Sequence, residues 1–208
     1  MKISYGITVC NENIELKKLL KHLANLIDET DEVIVLVDYT NTTDAVMDVI
    51  KEHRNSFSNF VLIEKSLNGD FASFKNQLIE AASGDYLFQI DADEIPNDFL
   101  IEYIKPILKV NSNVDCFYIP RVNKVNGLTP QHVAKWRWRV DEQERVNFPD
   151  PQMRLFKIGK GIKWKNRVHE VLTGYQTISS LPYEEDFCLI HIKSIDKQER
   201  QNNFYDTL

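Results

Sequence analysis

The sequence predicts an α/β fold with a mostly parallel central sheet flanked by helices, on three observations. Apolar runs of strand length alternate with segments of helical periodicity through the first 95 residues. Such alternation implies βαβ units with right-handed crossovers. The fourth apolar run then ends in Ile90-Asp91-Ala92-Asp93-Glu94, three carboxylates within four residues. Crowded carboxylates repel one another and are stabilised by a nearby cation. Ligands of open α/β sheets bind at the carboxyl ends of the strands, so Asp91-x-Asp93 suits a divalent metal carrying a phosphate. A plain surface turn of the same composition is the alternative.

The elements follow in order. Tyr5-Gly6-Ile7-Thr8-Val9-Cys10 is the first strand, and residues 14–27 place Leu16, Leu19, Leu20, Leu23, Leu26 and Ile27 on one helical face. Glu32 to Val37 is a second buried strand that ends at Asp38. Thr42 to His53 is a helix whose Thr43-Asp44 supplies oxygens to the first turn. Phe60-Val61-Leu62-Ile63 is the third strand. Asp70 to Ala82 is a helix carrying Phe71, Phe74 and Leu78 and closed by Ser83-Gly84, and residues 85–90 form the fourth strand.

After residue 95 the rhythm changes. Asn97 caps a helix bearing Phe99, Leu100, Tyr103 and Ile104, which Pro106 is expected to kink or end. Cys116 to Pro120 is a strand, residues 121–150 are irregular, basic and aromatic, and short strands fit 152–158, 163–169 and 187–192. The polar tail, 194–206, reads as a helix. There is no repeat, low-complexity tract or linker, so residues 1–95 and 96–208 are expected to be two halves of one domain.

With 43% hydrophobic and 27% charged residues, the chain can bury a core and is not of disordered composition. No window approaches the roughly 18 uninterrupted apolar residues of a membrane span. Met1-Lys2-Ile3-Ser4-Tyr5 shows no signal-peptide pattern. Cys10, Cys116 and Cys188 are odd in number and far apart, which suits a reducing cytoplasm rather than a disulfide framework. The net charge of −6 is unevenly spread. Residues 121–167 hold twelve Lys and Arg against four Asp and Glu, a balance of +8, and the remainder carries −14. Such asymmetry suits a polyanionic partner, an anionic donor, or simply a solvated basic face.

Thr8 to Glu12, Val37-Asp38 with Thr42-Thr43-Asp44, Lys75-Asn76, Ala82 to Tyr86 and Asp91 to Glu94, taken in order, resemble motifs of the family 2 glycosyltransferases. Thr8-Val9-Cys10-Asn11-Glu12 is similar to their first-strand motif ending in Asn-Glu. Val37-Asp38 with Thr42-Thr43-Asp44 resembles their Asp-x-x-Ser-Thr-Asp turn. Lys75-Asn76 and Ala82-Ser83-Gly84-Asp85-Tyr86 resemble the next two motifs, and Asp91-Ala92-Asp93-Glu94 falls where the metal motif belongs. Arg154-Leu155-Phe156, Trp164, Val168-His169-Glu170 and His191 are similar to a subgroup acting on lipopolysaccharide cores and peptides, and Asp70-Phe71-Ala72 to small transferases of tailed phages. The family's Gln-x-x-Arg-Trp box is missing, which argues against a processive polysaccharide synthase.

The resemblance implies a GT-A fold and an inverting, metal-dependent transfer of sugar from a nucleotide donor, UDP being expected, in the cytoplasm (of the host, if phage-encoded). It implies that Asp93 and His191 hold Mn²⁺ or Mg²⁺, a nitrogen ligand favouring Mn²⁺. Thr8, Asn11, Glu12, Asp38, Lys75 and Asp91 would line the nucleotide, although Asn11-Glu12 also suits turn chemistry and a helix lysine is often merely solvated. Glu170 would be the general base, with Asp150 the alternative. Trp136, Arg137, Trp138, Arg154 and His169 would face the acceptor, a saccharide or a hydroxylated base of modified phage DNA. A non-catalytic nucleotide- or glycan-binding module of the same fold and a nucleotidyltransferase stand as rival readings.

Overall fold

The computed structural model describes residues 1–205, with side chains through Asn202. Five strands and three helices open the chain: β1 (Ile3–Val9), α1 (Asn13–Leu26), β2 (Glu32–Asp38), α2 (Asp44–His53), β3 (Phe60–Lys65), α3 (Phe71–Ala81), β4 (Tyr86–Asp91) and β5 (Glu94–Pro96). There follow α4 (Asp98–Val110), β6 (Cys116–Ile119), β7 (Arg121–Asn126), α5 (Pro130–Trp136), β8 (Gln152–Lys157), β9 (Lys163–Lys165), β10 (Val171–Thr173), β11 (Ile178–Ser180), β12 (Leu189–Ser194) and α6 (Ile195–Tyr205).

Seven strands form the main sheet in the order β11-β6-β8-β4-β1-β2-β3. β4, β1, β2 and β3 run parallel, while β8 is antiparallel to both β4 and β6. Every residue of β2 is buried, as expected of a strand covered on both faces. Leu16, Leu19, Leu20 and Leu23 of α1 cover one face, together with α2 and α4. Each such side chain contributes about 1.5–3 kcal/mol when fully removed from water. Phe74 and Leu78 of α3 cover the other face with Trp164 and Phe156. The Ser83-Gly84-Asp85 segment leads into β4 and packs tightly against Lys2 and Ser4 at the start of β1. A Cβ on Gly84 would lie 2.8 Å from the Lys2 carbonyl, and Asp85 accepts the Lys2 N–H at 2.8 Å. Part of that motif is thus explained by packing.

A second sheet, β5-β12-β7, lies beyond β4. Its register aligns Glu94, His191 and Asn123 across three strands.

Three expectations need correction. Of the two outcomes expected at Pro106, ending the helix does not occur: α4 continues past it to Val110. Pro106 is exposed, so water can solvate the carbonyl it frees, while Ile104 and Leu108 hold the helix to the core. Residues 121–150 are not wholly irregular, since they contain β7 and α5. α5 is set by Thr129, which caps it, with Pro130 following in the first turn and the His132 side chain reaching back. Val168-His169-Glu170 lies in a loop between β9 and β10, not in a strand running to residue 169. The tail helix is present, and residue 206 lies outside the described residues.

Candidate active site

The carboxyl ends of β1, β2 and β4 converge at Thr8, Asp38 and Asp91. Thr8 and Asp91 are paired in register, and the Thr8 hydroxyl donates to Asp91 Oδ1 at 2.7 Å. The other oxygen of Asp91 receives the Arg154 guanidinium. Burial alone would raise the Asp91 pKa, but the Arg154 and Lys75 charges outweigh it and hold the carboxyl well below the usual range.

Arg154 is itself only 4% exposed. Its Nη2 also reaches Glu94 Oε1 at 2.8 Å. Glu94, fully buried, accepts from Arg121 Nη1 at 2.8 Å and from the Asp91 N–H at 3.1 Å. Burial would lower the Arg154 pKa, but Asp91 and Glu94 raise it instead. Arg154 is therefore not on an acceptor face, as the sequence suggested; it is the buried clamp between two carboxylates. Arg121 and Asn123 belong to no sequence motif, and Glu94 enters from sequence only as the third carboxylate of Asp91-Ala92-Asp93-Glu94.

Asp93 sits in the turn after β4, beside β12. His191 Nε2 lies 3.3 Å from Asp93 Oδ2, and Lys197 Nζ from α6 lies 3.0 Å from the same oxygen. Burial opposes ionisation of Asp93, but its contacts with His191 and Lys197 keep it far below the usual carboxylate range. Among the described residues no three His, Cys, Asp or Glu side chains converge on one point. Asp93 and His191 thus offer one oxygen and one nitrogen, already drawing a cationic side chain. That donor pair fits a borderline divalent ion whose remaining positions come from a ligand or water.

On the other side, Lys75 of α3 pairs with Glu170 Oε1 and lies 4.9 Å from the Trp164 ring centroid. Among the described residues no donor reaches Glu170 Oε2. Asn76 bonds both the N–H and the carbonyl of Trp164, at 2.8 and 3.0 Å, and so fastens β9 to α3. Trp164 Nε1 donates to buried Gln89 at 2.9 Å. These contacts hold the loop carrying Glu170 over the end of β4.

Asp38 is 3% exposed and accepts from the N–H groups of Thr40 and Leu67 and from Asn41 Nδ2, at 3.3, 3.1 and 2.9 Å. Glu12 accepts the N–H groups of Cys10 and Asn11 at 2.9 and 3.0 Å. Both acids shape the loops above β1 and β2, while Asn11 is exposed there. Asp150 is also bound up: its Oδ2 takes Arg121 Nη2 at 2.7 Å and Asn123 Nδ2 at 2.6 Å.

Trp136 stacks on His132 at 5.3 Å and contacts Trp138 at 4.7 Å between ring centroids. Arg137 is exposed beside them, and His132 lies 3.8 Å from Glu199 of α6. This aromatic group therefore leans on the helix that brings Lys197 to Asp93. His169 is exposed, with a left-handed backbone (φ 54°).

The profile of "Glycosyl transferase family 2" matches residues 4–162. The chain belongs to that family. A relative, the SPbeta prophage-derived glycosyltransferase SunS of Bacillus subtilis (strain 168), is 28% identical over 184 residues, covering 87% of this chain and 36% of its own length. The poly(ribitol-phosphate) beta-glucosyltransferase of Bacillus spizizenii is 31% identical over 96 residues, 45% of this chain and 15% of that one. This family 2 chain thus spans about a third of the SunS relative. Among solved structures, S. aureus TarS 1-349 in complex with UDP-GlcNAc superposes with a TM-score of 0.67 at 18% identity, over 93% of this chain and 59% of that one. The mannosyltransferase PcManGT from Pyrobaculum calidifontis, in complex with GDP-Man and Mn²⁺, gives 0.57 at 14% identity, over 91% and 56%. The family 2 member therefore has the GT-A glycosyltransferase fold. No helix among the described residues is long and apolar enough to cross a membrane.

Proposed function

We propose that this chain catalyses inverting transfer of a sugar from a UDP-sugar to a hydroxyl acceptor. The observation that carries the reading is the facing pair Asp93 Oδ2 and His191 Nε2, 3.3 Å apart beside Asp91. Asp93 and His191 would hold Mn²⁺ or Mg²⁺, which when bound neutralises the diphosphate leaving group. Asp91, oriented by Thr8 and Arg154, would face the ribose side of the donor. Asn11 and the loops shaped by Glu12 and Asp38 would surround the base. Asp38 presents little free surface, so its contact to the base would need those loops to open.

Glu170 is the proposed base. Its Oε1 is anchored by Lys75, and Oε2 is open to take the acceptor proton. The acceptor oxygen then attacks the anomeric carbon, whose bond to the diphosphate breaks, and the nucleoside diphosphate leaves. Asp150 is a poor alternative base, because its carboxylate already serves Arg121 and Asn123. Trp136, Trp138 and Arg137 would receive the acceptor, with His169 at its edge. The +8 balance of residues 121–167 and the named acceptor of the poly(ribitol-phosphate) relative favour a hydroxyl on a polyanion. Modified DNA belongs to that class. A neutral saccharide stacking on the tryptophans is the second reading, supported by the ring geometry alone.

A thermal-shift panel of nucleotide sugars, with and without Mn²⁺, tests the donor assignment. Saturation at a hundredfold excess over Kd stabilises by about 2.7 kcal/mol. A UDP-sugar shift that needs Mn²⁺ is expected; no shift with any nucleotide sugar overturns the proposal.

A further inference from the structure

We propose that Asn123 is a positioning residue that sets the imidazole tautomer of His191, and that Arg121 and Asp150 hold Asn123 in the orientation required. The inference rests on the reading that His191 is a metal ligand. It gives roles to Asn123 and Arg121, which lie outside the sequence motifs, and a positioning role to Asp150.

The polarity of each link is forced by the one before it. The Arg121 guanidinium can only donate. Its Nε and Nη2 reach Asp150 Oδ2 at 2.8 and 2.7 Å, so that oxygen acts as an acceptor. The Asn123 amide approaches the same Oδ2 at 2.6 Å. Only its nitrogen can do so, since an amide oxygen there would face a carboxylate oxygen with no proton between them. The amide oxygen is thereby turned to His191 Nδ1, at 2.8 Å. An amide oxygen is an acceptor, so Nδ1 must carry the hydrogen.

In the neutral ring, the lone pair then belongs to Nε2. That is the atom facing Asp93 Oδ2 at 3.3 Å. The register supports the same geometry from the backbone: Asn123 and His191 are direct partners in the parallel pairing of β7 with β12. Two atoms with lone pairs, held face to face, want a cation between them. Without the amide, the ring would be free to carry its hydrogen on Nε2 and hydrogen-bond Asp93, closing the position. Partners that fix a metal-binding histidine in this way typically change metal affinity by about 10–100-fold when removed.

The test uses the full chain and two readouts. Long-range ¹⁵N NMR of the histidine rings, in metal-free protein at a pH where the imidazole is neutral, reports which nitrogen of His191 carries hydrogen. The expected result is Nδ1–H in the wild type and a shift toward Nε2–H in Asn123→Leu, which keeps the side-chain shape. Calorimetry of Mn²⁺ with saturating UDP should then show affinity lower by about 10–100-fold in the variant. A wild-type ring with hydrogen on Nε2 overturns the proposal and needs no folded variant. So does Mn²⁺ affinity within about twofold of wild type in Asn123→Leu while His191→Ala abolishes it; that outcome leaves the metal reading intact. If the tautomer shifts as expected but neither protein binds Mn²⁺, the assignment of Asn123 is supported and the metal reading is the one that falls.

Discussion

Arg154→Met should destabilise the chain by about 3 kcal/mol, because it strips a buried cation from two carboxylates. Removing one partner of a buried ion pair typically costs roughly 3–5 kcal/mol. The lower end applies here. Glu94 would keep Arg121 at 2.8 Å, and Asp91 would keep the Thr8 hydroxyl at 2.7 Å. For a chain of this size about 1 kcal/mol corresponds to roughly 2–4 °C, so the melting midpoint should fall by about 6–12 °C. Urea unfolding followed by circular dichroism measures the loss, and Glu94→Gln supplies the control. In the double variant one uncompensated charge disappears, so the combined loss should be smaller than the sum of the single losses by about 1 kcal/mol or more. Arg154→Met within about 1 kcal/mol of wild type, or strict additivity with Glu94→Gln, would refute the clamp.

Other outcomes follow from the same contacts. Glu170→Gln should lower transfer by roughly 10²–10⁴-fold while leaving UDP affinity unchanged; a loss below about tenfold in a steady-state assay would move the base elsewhere. Trp136→Ala should weaken acceptor binding and spare UDP. If the acceptor is a polyanion, its binding should also fall steeply as salt rises, and salt-independent binding would favour the saccharide. Glu32 gives a pH prediction. Burial alone would raise its pKa, but hydrogen bonds from Ser4, Ser83 and Lys2 hold it down to about 2. Its stabilisation should therefore be complete above the unfolded value near 4.5 and be lost as pH falls toward 2. Glu32→Gln should destabilise the chain at neutral pH, and the gap to wild type should close across that acid window. A gap that does not change with pH would count against it.

The first four strands and three helices are legible because their signals are local. β2 is a continuous apolar run, and α1 repeats leucine at helical spacing. The carboxylates of β4 are legible for the same reason: they sit where one run ends. The sheet β5-β12-β7 is not. β7 buries only Val122 and Val125, which is no strand period, and its partner β12 lies some 68 residues along the chain. The roles of Arg121 and Asn123 depend wholly on that pairing. The sequence offers Arg154 to the acceptor and Asp150 as an alternative base because it does not show what charge a fold will place beside them. Once β8 lies against β4, Arg154 meets Asp91 and Glu94 and must be buried with them. Lys197 reaches Asp93 only because α6 turns back after β12.

The central claim is that Asp93 and His191 make nucleotide binding depend on a divalent ion. Calorimetric titration of UDP, with and without Mn²⁺, into the wild type, Asp93→Ala and His191→Ala tests it directly. The account predicts that the wild type binds UDP with Mn²⁺, and that omitting the ion or truncating either ligand weakens binding by more than about tenfold, the lower end of the effect of disturbing even a metal's supporting contacts. Equal UDP affinity in all three proteins, whether or not Mn²⁺ is present, would contradict it.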